Sequence, residues 1–231
     1  MLAIGALLQG PAWLASQAYR LPSVVGTPGK LTQQDFVIAA ESLKCEVAAV
    51  KAVAEVEARG AGFLADGRPK ILFEAHHFSR ATGHIYDVLY PLISSPKWKK
   101  ELYLGGVREY ERLHQAVALD ARAAIRSTPW GAFQIMGFNH AAAGFGTPEE
   151  FVRAMFASEG EHLKAFIAFV QSMKLGKLIQ QKNWEAFAKA YNGPRYKDNA
   201  YDTKLAKAYA KYAAPAVTPR PTPAPGTPPK T

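Results

Sequence analysis

Residues 54–63 read AEVEARGAGF, and the place of one glutamate in this stretch decides the fold. The run before it, VAAVKAV from Val47 to Val53, has the spacing of a helix with one apolar stripe. Val50 and Val53 stand seven and four residues ahead of Glu57, so all three share a face. Lys51 and Glu55 point to other sides. Glu57 is therefore aimed inward, and Gly60 reads as the C′ glycine that ends the helix. A carboxyl placed against apolar side chains loses hydration, which favours its protonated form. Such a group can pass a proton to a leaving oxygen, as glycoside cleavage requires. Helix geometry alone also allows a plain helix-end glutamate, paired with Arg59 or Arg68 or simply solvated.

The next stretch, GFLADGRPKILFE from Gly62 to Glu74, changes character. Asp66-Gly67 is a turn signal and KILFE a short strand-like run, which together predict a small β-hairpin. Most of the rest is helical. Thr32 with Asp35 forms a capping-box pair, followed by Phe36, Ala39, Ala40 and Leu43 at helical intervals. Residues 147–173 predict one long helix, with Thr147 as cap, Pro148 at the first position and Glu150 closing the box. Its stripe is Phe151, Met155, Leu163, Phe166 and Val170. NWEAFAKAY predicts another helix, stopped by Asn192–Pro194, and a last one spans Asp202 to Tyr212. The fold class expected is mainly α with a small β-hairpin, a lysozyme-like α+β arrangement.

Composition bounds the function. The 231 residues carry 28 Lys+Arg against 19 Asp+Glu, a formal charge of +9. Such a chain is drawn to polyanions: nucleic acid, anionic lipid or the bacterial wall. No Arg-rich run with interleaved aromatics and no zinc-finger spacing is present, which argues against nucleic acid as a partner. One cysteine, Cys45, excludes an internal disulfide, and no histidine near it supports a thiol nucleophile. The N-terminal MLAIGALLQGPAWLASQA is apolar but broken by Gly10 and Pro11. It is too short to span a membrane and lacks the basic start of an export signal. Residues 1–30 form an N-terminal segment and linker, with LPSVVGTPGK from Leu21 to Lys30 as the linker. Residues 31–212 form the folded domain. Residues 213–231 are a Pro-rich tail with the composition of a disordered, polyproline-type segment.

Four separated motifs carry a resemblance. AVKAVAEVEARGAGFLADGRPKILFEAHHF, STPWGAFQIMGFNH, AYNGPRY and YDTKLAKAY, in this order, resemble the N-acetylmuramidase family of phage endolysins and related bacterial peptidoglycan-degrading proteins. The likeness spans Leu31 to Tyr212. It implies a lysozyme-like catalytic domain that hydrolyses the glycan of peptidoglycan, with no cofactor and no metal. Members often carry a separate wall-binding domain ahead of the catalytic one, for which residues 1–30 are too few. The family's catalytic glutamate falls on Glu57. Its usual Glu-Ser-x-Gly pattern is EARG here: Ala58 replaces the serine and Arg59 adds a cation. That cation either lowers the pKa of Glu57 or points outward to carboxylates of the wall.

The remaining site residues follow from the same motifs. WGAFQIMG, Trp130 to Gly137, resembles a segment lining the sugar cleft. Its Gln134 would meet sugar hydroxyls or an acetamido group with its amide, and Trp130 or Phe133 would stack on a sugar. Phe63 is a further candidate cleft residue. In AYNG, Tyr191 would hydrogen-bond Glu57 and Asn192 would sit beside it. A second carboxylate is needed as nucleophile or to activate water. Glu74, at the end of KILFE, is preferred over Asp66, which has a local reason to stand in a turn. His76, His77 and His84 lack a complete metal-ligand spacing. Adjacent histidines on an extended segment would point apart, with His76 lining the cleft. The expected protein is a monomeric peptidoglycan hydrolase acting at the wall, in the periplasm or outside the cell, without stable membrane insertion. The alternatives are a lytic transglycosylase with anhydro-sugar products and a weakly catalytic wall-binding domain.

Overall fold

The computed structural model describes residues 19–24, 28–58 and 60–214. Helix α1 (Gln33–Leu43) starts on the Thr32/Asp35 capping box and buries Ala39, Ala40 and Leu43. Helix α2 (Val47–Glu57) buries Ala49, Val50, Ala52, Val53, Ala54 and Glu57. It ends at Glu57 itself, with Ala58 extended. Gly60, at φ +86°, sits three residues past the helix. It turns the exit loop and is not the C′ residue expected.

The expected hairpin is smaller than KILFE suggested. Phe63 and Pro69 form a single antiparallel bridge around the Asp66-Gly67 turn, and Ile71 bridges Trp130. The chain then enters helix α3 (Ala75–Ala81), with Glu74 at its N-cap position. Glu74 is thus a helix start, not a strand end. After a long irregular segment come α4 (Glu109–Leu119) and α5 (Ala121–Arg126). The regular sheet lies further on: β1 (Pro129–Trp130) pairs antiparallel with β2 (Ile135–Met136). KILFE pairs with backbone at Lys70 and Ile71, and at Phe73 side chains take over: Glu109 claims the amide and Arg112 the carbonyl.

The long helix predicted over residues 147–173 is two helices. Helix α6 (Pro148–Ala157) opens on the Thr147/Glu150 capping box, and α7 (Glu159–Ser172) follows. Ser158 between them is extended, at φ −167° and ψ 163°, and its side chain caps α7. The break lets Gly29 pair with Ser158 and accept from the Glu159 amide at 2.9 Å. The described part of the expected linker therefore lies against the domain, with Tyr19 and Leu21 packed on the core. Helices α8 (Gly176–Gln180), α9 (Trp184–Asn192) and α10 (Tyr201–Ala213) complete the fold. α10 packs along α2 and α9, so the end of the chain backs the glutamate helix.

The core runs through all these elements, with Phe73, Phe78, Phe151, Phe166 and Phe187 fully covered. Each such side chain stabilises the fold by about 1.5–3 kcal/mol relative to exposure. The expectations placed on residues 1–18, 25–27, Arg59 and 215–231 lie outside the described residues.

Candidate active site

Glu57 is the last residue of α2 and is 7% exposed. The helix places it there for the reason read from the stripe: Val50 and Val53 beneath it are both buried. The Asn192 amide donates to Glu57 Oε1 at 3.1 Å. Asn192 is the last residue of α9, so two helix ends meet at the carboxyl. The Tyr-Asn element thus reaches Glu57 through Asn192. Tyr191 is itself packed among aromatic rings, 5.6 Å from Phe187 and 5.7 Å from Phe166 between centroids.

The loop after Glu57 is fixed from α7. The Glu159 carboxylate accepts from the Gly62 amide at 2.8 Å and from the Leu31 amide at 3.3 Å. One turn later His162 is 1% exposed, with Nε2 bonded to the Met155 carbonyl at 2.7 Å. Its Nδ1 accepts from the Ala132 amide at 3.2 Å. The ring is therefore the Nε2–H tautomer, and burial holds its pKa below the usual histidine value. Backbone closes on it from two sides. A Cβ on Gly62 would fall 2.6 Å from Nδ1, and one on Gly131 would fall 2.9 Å from it. Phe63 stacks on this ring at 4.9 Å, so one face of the expected cleft residue is taken by the protein.

Glu74 stands at the N-cap of α3 with two polar neighbours. Tyr103 donates its hydroxyl to Oε2 at 2.5 Å, and His76 Nδ1 lies 3.2 Å from the same oxygen. Burial and the adjacent carboxylate both push the Tyr103 pKa upward. The Glu74 amide bonds the Ser127 carbonyl at 3.1 Å, which ties the start of α3 to the end of α5. Behind it, Glu109 accepts from the Phe73 amide and from Arg112, both at 3.1 Å. Its other oxygen accepts from the Leu104 and Gly105 amides at 2.6 and 2.9 Å.

Several expectations from the WGAFQIMG motif are corrected. Trp130 is 1% exposed and gives its indole N–H to the Ile125 carbonyl at 3.0 Å. Phe133 is 6% exposed and stacks on Phe166 at 4.3 Å. Both are core residues, because the β1–β2 turn folds the motif onto α7. The Gln134 amide donates to the Lys70 and Gly131 carbonyls at 3.1 and 2.8 Å, so its N–H groups serve the turn. His76 and His77 do not point apart. On α3 their rings lie 4.2 Å from each other. His84 binds Asp87 at 3.1 Å instead. Among the described residues no group of His, Cys, Asp or Glu has the makings of a metal site. Asp66 is occupied by Arg68 at 2.5 Å. Burial opposes this, but the Arg68 hydrogen bonds leave the Asp66 pKa lowered.

Sequence reasoning missed Glu109, Arg112, Glu159, His162 and Tyr103. Each acts mainly on backbone groups or on Glu74, and no spacing signals that.

A family model described as Muramidase, N-acetylmuramidase, matches residues 46–213. Among solved structures the chain is similar to the crystal structure of the Burkholderia AP3 phage endolysin, with 42% identity and a TM-score of 0.74. That match covers 82% of this chain and 73% of the other. No protein with a curated description matches.

Proposed function

The chain belongs to the N-acetylmuramidase family, as a glycoside hydrolase acting on peptidoglycan, and from that premise we propose that it cleaves the N-acetylmuramic acid to N-acetylglucosamine bond with Glu57 as general acid. The observation that carries this is a helix-end carboxyl only 7% exposed and oriented by the Asn192 amide. Burial disfavours the anion of a carboxyl, and a glycosidic acid must hold its proton until the bridging oxygen arrives.

Glu74 supplies the second carboxylate. Tyr103 and His76 fix its rotamer, so it meets the sugar or a water in one orientation. Its role is to activate that water or to stabilise the oxocarbenium-like state. Asp66, engaged by Arg68 in an exposed turn, takes no part. The domain acts as a monomer at the wall, drawn by its charge of +9 to an anionic surface. Among the described residues no helix is long and apolar enough to cross a membrane.

Digestion of purified peptidoglycan in heavy-oxygen water tests the reading. Labelled, reducing N-acetylmuramic acid ends are expected. Glu57→Gln should fold and bind walls without cleaving them, because the amide keeps the shape and lacks the proton. Glu55→Gln, whose partners Lys211 and Tyr212 lie on the exposed face, should cleave at a rate close to wild type. Wild-type lysis by Glu57→Gln would remove the acid assignment. Unlabelled 1,6-anhydro ends would make the protein a transglycosylase.

A further inference from the structure

A recess of about 370 Å³ opens between the C-terminal turns of α3 and α5, lined by His77, Arg80, Ala81, Arg126, Ser127 and Phe138. Among the described residues its two charged side chains are both arginines, and no carboxylate lines it. Neither guanidinium belongs to an ion pair found among the described residues. A cation in the last turn of a helix is favoured by the helix dipole, which accounts for one arginine on each helix. It does not account for two like charges converging on one recess. Phe138, 39% exposed, adds an apolar wall, with the His77 ring 5.3 Å from its own. Burial first, then His76 and Arg80, lower the His77 pKa, which fits a positive local field and a neutral imidazole.

We propose that this recess is a subsite for a carboxylate of the peptide stem borne by the muramoyl residue, held by Arg80 and Arg126. The assignment rests on the reading of the chain as a muramidase with Glu74 at the reacting sugar. Paired guanidinium forks suit the two oxygens of a carboxylate, and the apolar wall suits the peptide's alkyl part. The placement suits it too. His77 lies 4.2 Å from His76, and His76 lies 3.2 Å from Glu74. Ser127, in the recess wall, accepts from the Glu74 amide. A muramoyl sugar at Glu74 therefore has its lactyl-linked peptide within reach of the two arginines. Bare glycan would leave the recess empty.

The experiment compares two substrates and adds one direct measurement. On stem-bearing glycan strands, Arg80→Gln/Arg126→Gln should lose about tenfold in kcat/KM, as expected for charge-assisted contacts. On the same strands stripped of stems by an amidase, the variant and the wild type should be equal. Calorimetric titration with the free stem tripeptide should show binding that the variant lacks. Arg80→Lys/Arg126→Lys, which keeps the charge without the fork, should fall between the two. Equal losses on both substrates would mean a merely structural role and overturn the proposal. Displacement of the tripeptide by inorganic phosphate at lower concentration would assign the recess to a phosphate source and overturn it as well. Tripeptide binding with no cleavage of either substrate would keep the subsite and sink the catalytic reading instead.

Discussion

Glu109→Gln is the most informative change outside the two proposed catalytic carboxylates. Glu109 and Arg112 are 0% and 4% exposed at the side chain. The carboxylate accepts from four donors at 2.6–3.1 Å: the amides of Phe73, Leu104 and Gly105 and the Arg112 guanidinium. Glutamine offers one oxygen and one NH2, so in either orientation two donors face an N–H. Each orphaned donor costs about 1–3 kcal/mol, and a buried cation stripped of its counter-charge costs about 3–5 kcal/mol. These overlap, so the net loss is about 3–5 kcal/mol. That is a large share of the roughly 5–15 kcal/mol that holds a domain together. In urea, at an m-value of about 2.5 kcal/mol/M, the midpoint should fall by roughly 1–2 M. Turnover should drop even where the variant stays folded, because Phe73 precedes Glu74 in the chain. Adding Arg112→Met should recover part of the stability by removing the stranded charge. Recovery is incomplete because the Phe73 and Leu92 carbonyls then lose their donor. A loss under about 1 kcal/mol at unchanged m would refute the reasoning.

Three other outcomes are expected. The folded pKa of His162 lies below its unfolded value, so the unfolded chain binds the extra proton. Its contribution to stability is complete above about pH 6.5 and is lost as the pH falls through that value toward the folded one. Urea midpoints at pH 7.5 and 5 should show this, and His162→Asn should flatten that limb. A wild-type midpoint constant over the window would contradict it. Cys45, pushed up to about 11 chiefly by burial, should react with a disulfide reagent at pH 8 roughly two orders of magnitude more slowly in the native than in the unfolded protein. Comparable rates in both states would refute that. Asn192→Ala should lower kcat about tenfold, the worth of one hydrogen bond of about 1.4 kcal/mol. KM and the melting temperature should hardly move, and a collapse of the fold would make Asn192 structural.

The helices were legible because their signals are local. A stripe at helical spacing and the boxes at Thr32 and Thr147 need nothing beyond a few neighbouring residues. Glu57 was legible for the same reason, as a polar residue standing in an apolar row. The break at Ser158 was not legible, since α6 and α7 each satisfy the helical pattern while Ser158 caps α7 and pairs with the distant Gly29. KILFE alternates like a strand, yet at Phe73 Glu109 and Arg112 claim the polar groups a ladder would use. Trp130 and Phe133 were misplaced for a related reason. Their motif is compatible with a cleft wall and with a core turn, and the choice is made by α7, more than twenty residues away.

The two proposed catalytic carboxylates are held by different physical means, and that explains the rest of the design. Glu57 sits on a regular element, and α2 fixes its direction while α10 and α9 close over it. Glu74 has no such element before it. The described residues of 58–74 contain only isolated bridges, which alone would leave the start of α3 loose. Two polar devices stiffen this stretch at its ends. Glu159 and His162 grip the loop at Gly62 and the facing turn at Gly131 and Ala132. Glu109 and Arg112 grip both polar groups of Phe73. A buried ion pair such as Glu109–Arg112 adds little net stability over an apolar packing, so the value of both devices here is geometric. They hold the backbone that carries the second carboxylate at a fixed place relative to the helix that carries the first. A glycosidase needs that fixity, because its acid and its partner carboxylate must act on one bond from set positions.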